Sequence, residues 1–455
     1  CQPPRRRRPR LPHAVADPPE ASSGPEPPAS PEGSAQASAA AAVAAQASAL
    51  QATFASDDAR TQRWLRRALG AFKHARVGSH HLAGSTGYGH DDLGGEALDA
   101  TLAALLRAPA AAMRPHWQSG THTIACGLFG CLRPGDELVA AAGHPYDTLE
   151  EVLGLRGRAG DGSLAEFGVS YREVPLLPCG GVDMGALGPG GGALRPETKA
   201  VLVQRSRGYT QRPSLSAEQV GAVARAVKAH RPDVRVLVDN CYGELVCDEE
   251  PAALGADLVM GSLIKNPGGT VAPCGGYVAG DEELVRNAVA RLNAPGVGFD
   301  AGAVPADTRR LLFQGLFLAP GAVGEAVKGG RLIAAVMAAE GYAVDPSPGA
   351  DRADTITAVE LGSAEALVAF CKAVQAACPV GAHITPTPAA TPGYASEVIF
   401  ANGTFIEGST SELSADGPLR EPYVAYCQGG AHWTHWAIAL EGAVAALREL
   451  RTRAG

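Results

Sequence analysis

Leu258-Val259-Met260-Gly261-Ser262-Leu263-Ile264-Lys265-Asn266-Pro267-Gly268-Gly269 runs from an apolar segment straight into a lysine and a Pro/Gly turn. A short, continuous apolar run closed by turn residues reads as a strand covered on both faces. A lysine at its carboxyl end is out of place for a solvated side chain. The chain has six lysines. Lys73, Lys228, Lys328 and Lys372 fall in helical patterns and Lys199 just precedes a strand, so these five read as solvated. Lys265 alone interrupts an apolar segment at a strand end.

Outward from this point the same grammar repeats. An apolar run at residues 234–238 leads into Asp239-Asn240-Cys241-Tyr242, and further short strands are expected at 137–142, 200–204, 257–263 and 276–279. Helical periodicity covers residues 98–107 and 121–131, and Ser216-Ala217-Glu218-Gln219 forms a capping box that opens a helix to about residue 230. Apolar strands separated by helices predict an α/β fold, a mostly parallel sheet with helices on both faces, over residues 96–330. Beyond residue 330 the pattern changes to a helix at 331–340, a strand near 355–361, a helix at 364–377 and a last helix from about 435. This predicts a smaller C-terminal α+β domain over 331–455. Residues 51–95 read as an N-terminal helical segment, around 57–75, followed by a Gly/His-rich stretch at 80–90.

Residues 1–50 stand apart. They open on Arg5 to Arg8 and Arg10 and continue as Pro, Ser, Ala and Glu with almost no large apolar residue, a composition expected to stay disordered. Without an apolar core, such a leader resembles an organelle transit peptide, the chloroplast stroma being favoured, although its four acidic residues run against that reading. Otherwise the chain is expected in the cytoplasm.

With 455 residues, 46% hydrophobic and 19% charged, the chain can bury a large core and more than one folded unit. A net charge of −8, from 39 basic and 47 acidic residues, excludes a chain-wide basic footprint, so no nucleic-acid partner is expected. No apolar run is long enough to cross a bilayer, so no membrane partner is expected either. The ten cysteines are scattered without paired CxxC motifs, and His432 and His435 sit beside Trp433 and Trp436 as an amphipathic helix start. Buried thiols are therefore expected rather than a metal site.

In open α/β sheets, ligands gather beyond the carboxyl ends of the strands. Lys265 and Asp239 occupy two such ends. They read either as a structural ion pair or as a carbonyl-binding lysine beside a carboxylate that keeps a pyridine nitrogen protonated. Ser119-Gly120-Thr121-His122-Thr123 precedes an apolar helix and offers hydroxyls and free N–H groups to an anion. Such a turn is usually only a cap. In company with a carboxylate and a lone lysine, it favours the second reading.

The segments SGTHTIACGLFGCLRPGDEL (119–138), HPYDTLEEVLG (144–154), QRSRGYTQRPSL (204–215), VDNCYGELV (238–246), GSLIKNPGGTVAPCGGYVAG (261–280), RRLLFQGLFLAP (309–320) and ELSADGPLREPY (412–423) resemble the methionine gamma-lyase-like, or aluminium-resistance, family. These are fold type I enzymes dependent on pyridoxal 5′-phosphate, distantly related to cystathionine lyases, and the resemblance covers roughly residues 54–450. His144, Thr210-Gln211 and a Gly-rich insertion at 188–192 depart from the family pattern, away from Lys265 and Asp239.

The resemblance implies that Lys265 forms the internal aldimine with the cofactor and then removes the substrate's Cα proton, helped by desolvation that lowers its pKa. It implies that Asp239 pairs with the pyridinium nitrogen. Tyr242 would donate to the cofactor's phenolic oxygen, or pack in the core. Tyr146 would stack on the ring, or serve as a turn aromatic. Ser119, Gly120, Thr121 and Ser262 would hold the phosphate. A substrate carboxylate calls for a bidentate arginine, Arg420 first and Arg207 second, with a surface ion pair as the plainer role for Arg420. Tyr88 would reach the phosphate of a neighbouring subunit in a homodimer or homotetramer with shared active sites, unless its loop is simply a turn. The activity implied is a carbon–sulfur lyase acting on methionine, cysteine or cystathionine. An aminotransferase and a non-catalytic protein that binds the cofactor are the rivals.

Overall fold

A strand apolar at every position needs a partner layer on each side, and the first sheet of the computed structural model has both. The structure describes residues 31–391, 394 and 396–454. Seven strands, β1 (Ala110–Arg114), β2 (Glu137–Ala140), β3 (Ser170–Glu173), β4 (Thr198–Gln204), β5 (Arg235–Asp239), β6 (Leu258–Ser262) and β7 (Gly276–Gly280), lie in the order β1-β7-β6-β5-β4-β2-β3. The run from β3 to β6 is parallel, and β7 is antiparallel to both β6 and β1. Successive residues of a strand face opposite layers. Val236 and Val238 therefore pack with helices Leu93–Leu106, Ala217–His230 and Ala306–Ala339, while Leu237 packs with helices Gly120–Cys131 and Glu282–Leu292.

A second sheet of five antiparallel strands follows: β8 (Ala343–Asp345), β9 (Thr357–Glu360), β10 (Val398–Ala401), β11 (Ser414–Pro418) and β12 (Val424–Gln428), in the order β10-β11-β12-β9-β8. Val359, Ile399, Ala415, Ala425 and Cys427 on one face pack against Leu332, Phe370, Trp436 and other helix residues. The other face looks back at the carboxyl ends of the first sheet. The expected class, a mostly parallel sheet with helices on both faces plus a smaller α+β domain, is the one observed.

Three expectations are corrected. Residues 31–49 are not disordered: helix Pro31–Ala49 buries Ala39, Val43 and Ala47 against the helices of the second sheet. Alanine is the strongest helix former, and side chains four apart share one face, so a stripe of small residues suffices for close packing. Residues 1–30, with the arginine run, lie outside the described residues. The helix expected at 331–340 is only the end of a 34-residue helix, Ala306–Ala339, which carries Pro320 and joins both sheets. Lys328 on that helix is not solvated: it is 6% exposed, paired with Asp58 and, at 2.8 Å, with Glu325. Among the described residues, no helix is long and apolar enough to cross a membrane.

Candidate active site

β5 and β6 end side by side, at Asp239 and Ser262, 8% and 2% exposed. Backbone bonds keep these ends in register: Asn240 N–H donates to Met260 O at 2.9 Å, and Arg205 N–H to Asp239 O at 3.0 Å. The chain then turns through Tyr242 in the left-handed region, φ +70°. A non-glycine residue there costs about 1–2 kcal/mol, so the surroundings must impose it. They do: Tyr242 O accepts from Asn266 Nδ2 at 2.9 Å and from Thr355 N at 3.1 Å. The Tyr242 ring consequently lies against Lys265, whose Nζ is 4.1 Å from the ring centroid, a cation–π contact. Gly268 makes the turn after Lys265 possible, because a Cβ there would meet Leu263 O at 1.7 Å.

Burial pushes the Asp239 carboxyl above its ordinary value, while Lys265 and the N–H of Cys241, 3.1 Å from Oδ1, oppose the shift. For Lys265 the balance differs from the sequence expectation. Burial disfavours the ammonium, but Cys241, Tyr242, Asp239 and Glu244 outweigh it and hold the amine above its ordinary value. Desolvation alone does not make Lys265 a base.

Behind the lysine lies a fully buried polar layer. Arg205 Nη1 donates to Asn240 Oδ1 at 2.6 Å, and Asn240 Nδ2 donates to Glu250 at 3.0 Å. Tyr277 donates its hydroxyl to Glu244 Oε1 at 2.9 Å. Burial pushes the Glu244 carboxyl up to about 8, so it is neutral at pH 7. The folded state then binds a proton that the unfolded chain releases above about pH 4.5. This contribution is fully present below that pH and is lost as pH rises towards 8. Glu244→Gln should remove the loss: the difference in Tm between variant and parent should grow in the variant's favour from pH 5 to pH 8. A constant difference across that window would contradict the assignment.

The anion cradle adjoins the same strand ends. Ser119 caps helix Gly120–Cys131, its Oγ accepting from His122 N at 3.0 Å, and Thr123 Oγ donates to Ser119 O at 2.9 Å. The N–H groups of Gly120 and Thr121 precede the first intrahelical bond and are left for a ligand. A Cβ on Gly120 would stand 3.3 Å from Ser262 Cβ and 3.5 Å from Cys241 Sγ, so the cradle sits directly on the ends of β5 and β6. Thr121 Oγ lies 2.8 Å from Thr148 Oγ.

A cavity of about 320 Å³ opens over Asp239, Tyr242 and Lys265. Tyr146 lines it at the start of helix Asp147–Leu153, its N–H donating to Gln204 Oε1 at 2.7 Å and its hydroxyl bonded to that of Tyr394. Tyr146, Tyr209 and Tyr394 form a triangle with ring centroids 5.6–6.2 Å apart. Burial pushes the phenols of Tyr146 and Tyr209 well up, so both stay protonated. Sequence reasoning did not find Tyr209, Tyr394, Asp416 or Gln428, all of which line this cavity.

The cradle residues Ser119, Gly120, Thr121 and Ser262 adjoin this cavity without lining it, and Arg207, Arg420 and Tyr88 do not line it either. Arg207, 3% exposed, donates through Nε and Nη2 to Arg212 O and pairs with Asp345, so its guanidinium is committed to holding the chain, a correction of its reading as a substrate ligand. Arg420 is exposed, donates to Tyr209 O at 3.2 Å, and borders an adjoining cavity that shares Tyr209 and Tyr426. Tyr88 is 73% exposed in the glycine-rich loop, beside His90. Among the described residues, no group of three or more His, Cys, Asp or Glu could hold a metal ion.

The donor set fits pyridoxal phosphate. A helix N-terminus offers N–H groups and hydroxyls to a phosphate, a buried carboxylate wants a protonated ring nitrogen, and one lysine lines the cavity beside that carboxylate.

Comparison with known proteins agrees. Residues 39–448 match the methionine gamma-lyase family. YnbB, an uncharacterized protein of Bacillus subtilis (strain 168), is 44% identical over 383 residues, 84% of this chain and 90% of that protein. The structure of a carbon–sulfur lyase involved in aluminum resistance from Clostridium novyi NT matches with a TM-score of 0.86 at 36% identity, covering 90% of this chain and 97% of the other. A Listeria monocytogenes protein, provisionally named a cystathionine beta-lyase involved in aluminum resistance, matches with a TM-score of 0.85 at 44% identity over 89% and 98% of the two chains. Enzymes of these lyase families generally depend on pyridoxal phosphate. The chain therefore belongs to the methionine gamma-lyase-like, aluminium-resistance family of fold type I proteins.

Proposed function

We propose that this protein is a carbon–sulfur lyase that carries pyridoxal phosphate on Lys265 and removes a thiol from a sulfur-containing amino acid. The observation that carries the reading is the convergence of Lys265, Asp239 and the Ser119-Gly120-Thr121 helix start on adjoining strand ends. Bound there, the cofactor supplies a carbonyl for amines and a ring that withdraws electrons from the substrate's Cα. Asp239 keeps the proton on the ring nitrogen. Ser119, Gly120, Thr121 and Ser262 hold the phosphate. Tyr146 packs against the ring, and Tyr242 fixes the lysine from beneath. With the cofactor bound, the Lys265 amine would be the group placed to hold its carbonyl end and to take the substrate's Cα proton. Arg420, held by a single bond at the rim, turns inward to the substrate carboxylate. Tyr88 completes the phosphate site of a second subunit.

The test is a panel of methionine, cysteine and cystathionine given to protein reconstituted with the cofactor. A lyase releases, with water, one thiol, one ammonia and one keto acid per turnover. A transaminase stalls after half a turnover without a keto acid and frees no ammonia, which would overturn the lyase reading, as would no product from any sulfur amino acid.

A further inference from the structure

The wall of the cavity opposite Lys265 is built by β11 and β12, in which Ser414 pairs with Gln428 and Asp416 with Tyr426. Alternation puts these four side chains on one face and Ala415, Ala425 and Cys427 on the other, against the helices. Asp416 and Gln428 are each 5% exposed and both line the cavity. Gln428 Nε2 donates to Asp416 Oδ1 at 2.9 Å, which fixes the amide, because the reverse orientation would set its oxygen against the carboxylate. The fixed orientation leaves Gln428 Oε1 buried with no hydrogen-bond partner among the described residues.

Asp416 accepts from the Tyr209 hydroxyl and, at 3.4 Å, from Ser414 Oγ, but no basic side chain among the described residues is ion-paired with it. Burial raises its carboxyl to about 6, so it is still mostly ionised at neutral pH. Lys265, which lines the same cavity, opposes that rise, but no cation is in contact with the carboxylate among the described residues; beside a carbonyl oxygen without a donor this is an incomplete arrangement. This wall carries no cation of its own among the described residues and no donor for the Gln428 oxygen. A methyl or alkyl end would leave the Gln428 oxygen without a donor and the Asp416 carboxylate without a cation in contact, and a second anion would be repelled. A primary ammonium supplies charge and three donors.

We infer that the cavity takes a thioether amino acid whose far end carries an ammonium group, seated between Asp416 and Gln428. The inference deepens the lyase reading and rests on it. Asp416 is thereby a specificity-determining residue.

The probes are S-(2-aminoethyl)cysteine and S-propylcysteine, which differ only in a terminal ammonium against a methyl. Wild-type protein with its cofactor should favour the amine by about 10- to 100-fold in kcat/KM, the range for a charge-assisted hydrogen bond. Asp416→Asn should bring the ratio close to one, mainly through KM. Tyr209→Phe should keep it. Equal use of both probes by the wild type, an unchanged ratio in Asp416→Asn, or the same collapse in Tyr209→Phe (Asp416 then serving only to hold the tyrosine) would each overturn the inference. Should Asp416→Asn fail to fold, the wild-type ratio decides.

If neither probe is cleaved, the sulfur amino-acid panel alone decides the lyase reading, and the ammonium seat is tested by binding. Lysine and 2-aminoheptanoate, an isosteric pair without sulfur, are titrated against the visible absorbance of the bound cofactor. Tighter binding of lysine, lost in Asp416→Asn, supports the ammonium seat; equal binding refutes it.

Discussion

Protein carrying Lys265→Ala should be colourless after reconstitution and should turn over no amino acid, a loss of more than about 10³-fold, at the scale of removing an essential acid–base group. The argument is positional. Lys265 is the one lysine lining the cavity among the described residues. Lys328 is tied to Asp58 and Glu325, and Lys228 lies 2.9 Å from Asp257. Lys73, Lys199 and Lys372 are on other elements, so no second amine stands in reach of Asp239 and the Ser119 turn. Borohydride treatment of the wild type should fix the visible chromophore to the peptide containing Lys265. A yellow alanine variant, or a label on another lysine, would disprove the assignment.

Asp239→Asn should behave differently, keeping colour while losing about 10²- to 10³-fold in kcat. The phosphate cradle and the lysine remain, so the cofactor is still held. What disappears is the one buried carboxylate placed to keep a ring nitrogen protonated. Breaking a buried charge pair costs about 3–5 kcal/mol, and each 1.36 kcal/mol is tenfold. Asparagine matches the shape and can still meet Cys241 N–H, so a folding defect is not expected to mask the result. Rates close to wild type would show that Asp239 acts only as a structural counter-charge to Lys265.

How much of this was legible follows from where each residue sits. Lys265, Asp239 and Ser119 each end or begin a continuous local pattern, and a parallel sheet necessarily gathers such ends at one edge. The second wall has no local signature of that kind. Asp416, Gln428, Tyr209 and Tyr394 meet only because β11 and β12 fold back over the first sheet. A trace was present: Ser414-Ala415-Asp416 and Tyr426-Cys427-Gln428 alternate polar with small apolar residues. Such alternation ordinarily means one face in water, but here both faces are buried, and the polar one looks into a cavity. Lys328 was misread for a related reason. Its partner Asp58 comes from a helix about 270 residues earlier, a pairing that no helical periodicity records. The strand Ala110–Arg114 was missed because three alanines carry no strand signal.

Helix Ala306–Ala339 has a practical corollary. Its first half supplies Leu312, Phe313 and Leu316 to one core, and its second half supplies Leu332, Ile333 and Met337 to the other. The change in sequence character near residue 330 thus falls inside a shared beam rather than at a hinge. Cutting the gene there would break the supporting rod and leave each fragment with only part of it, so new termini or fusion points belong at outward turns such as Gly190 instead.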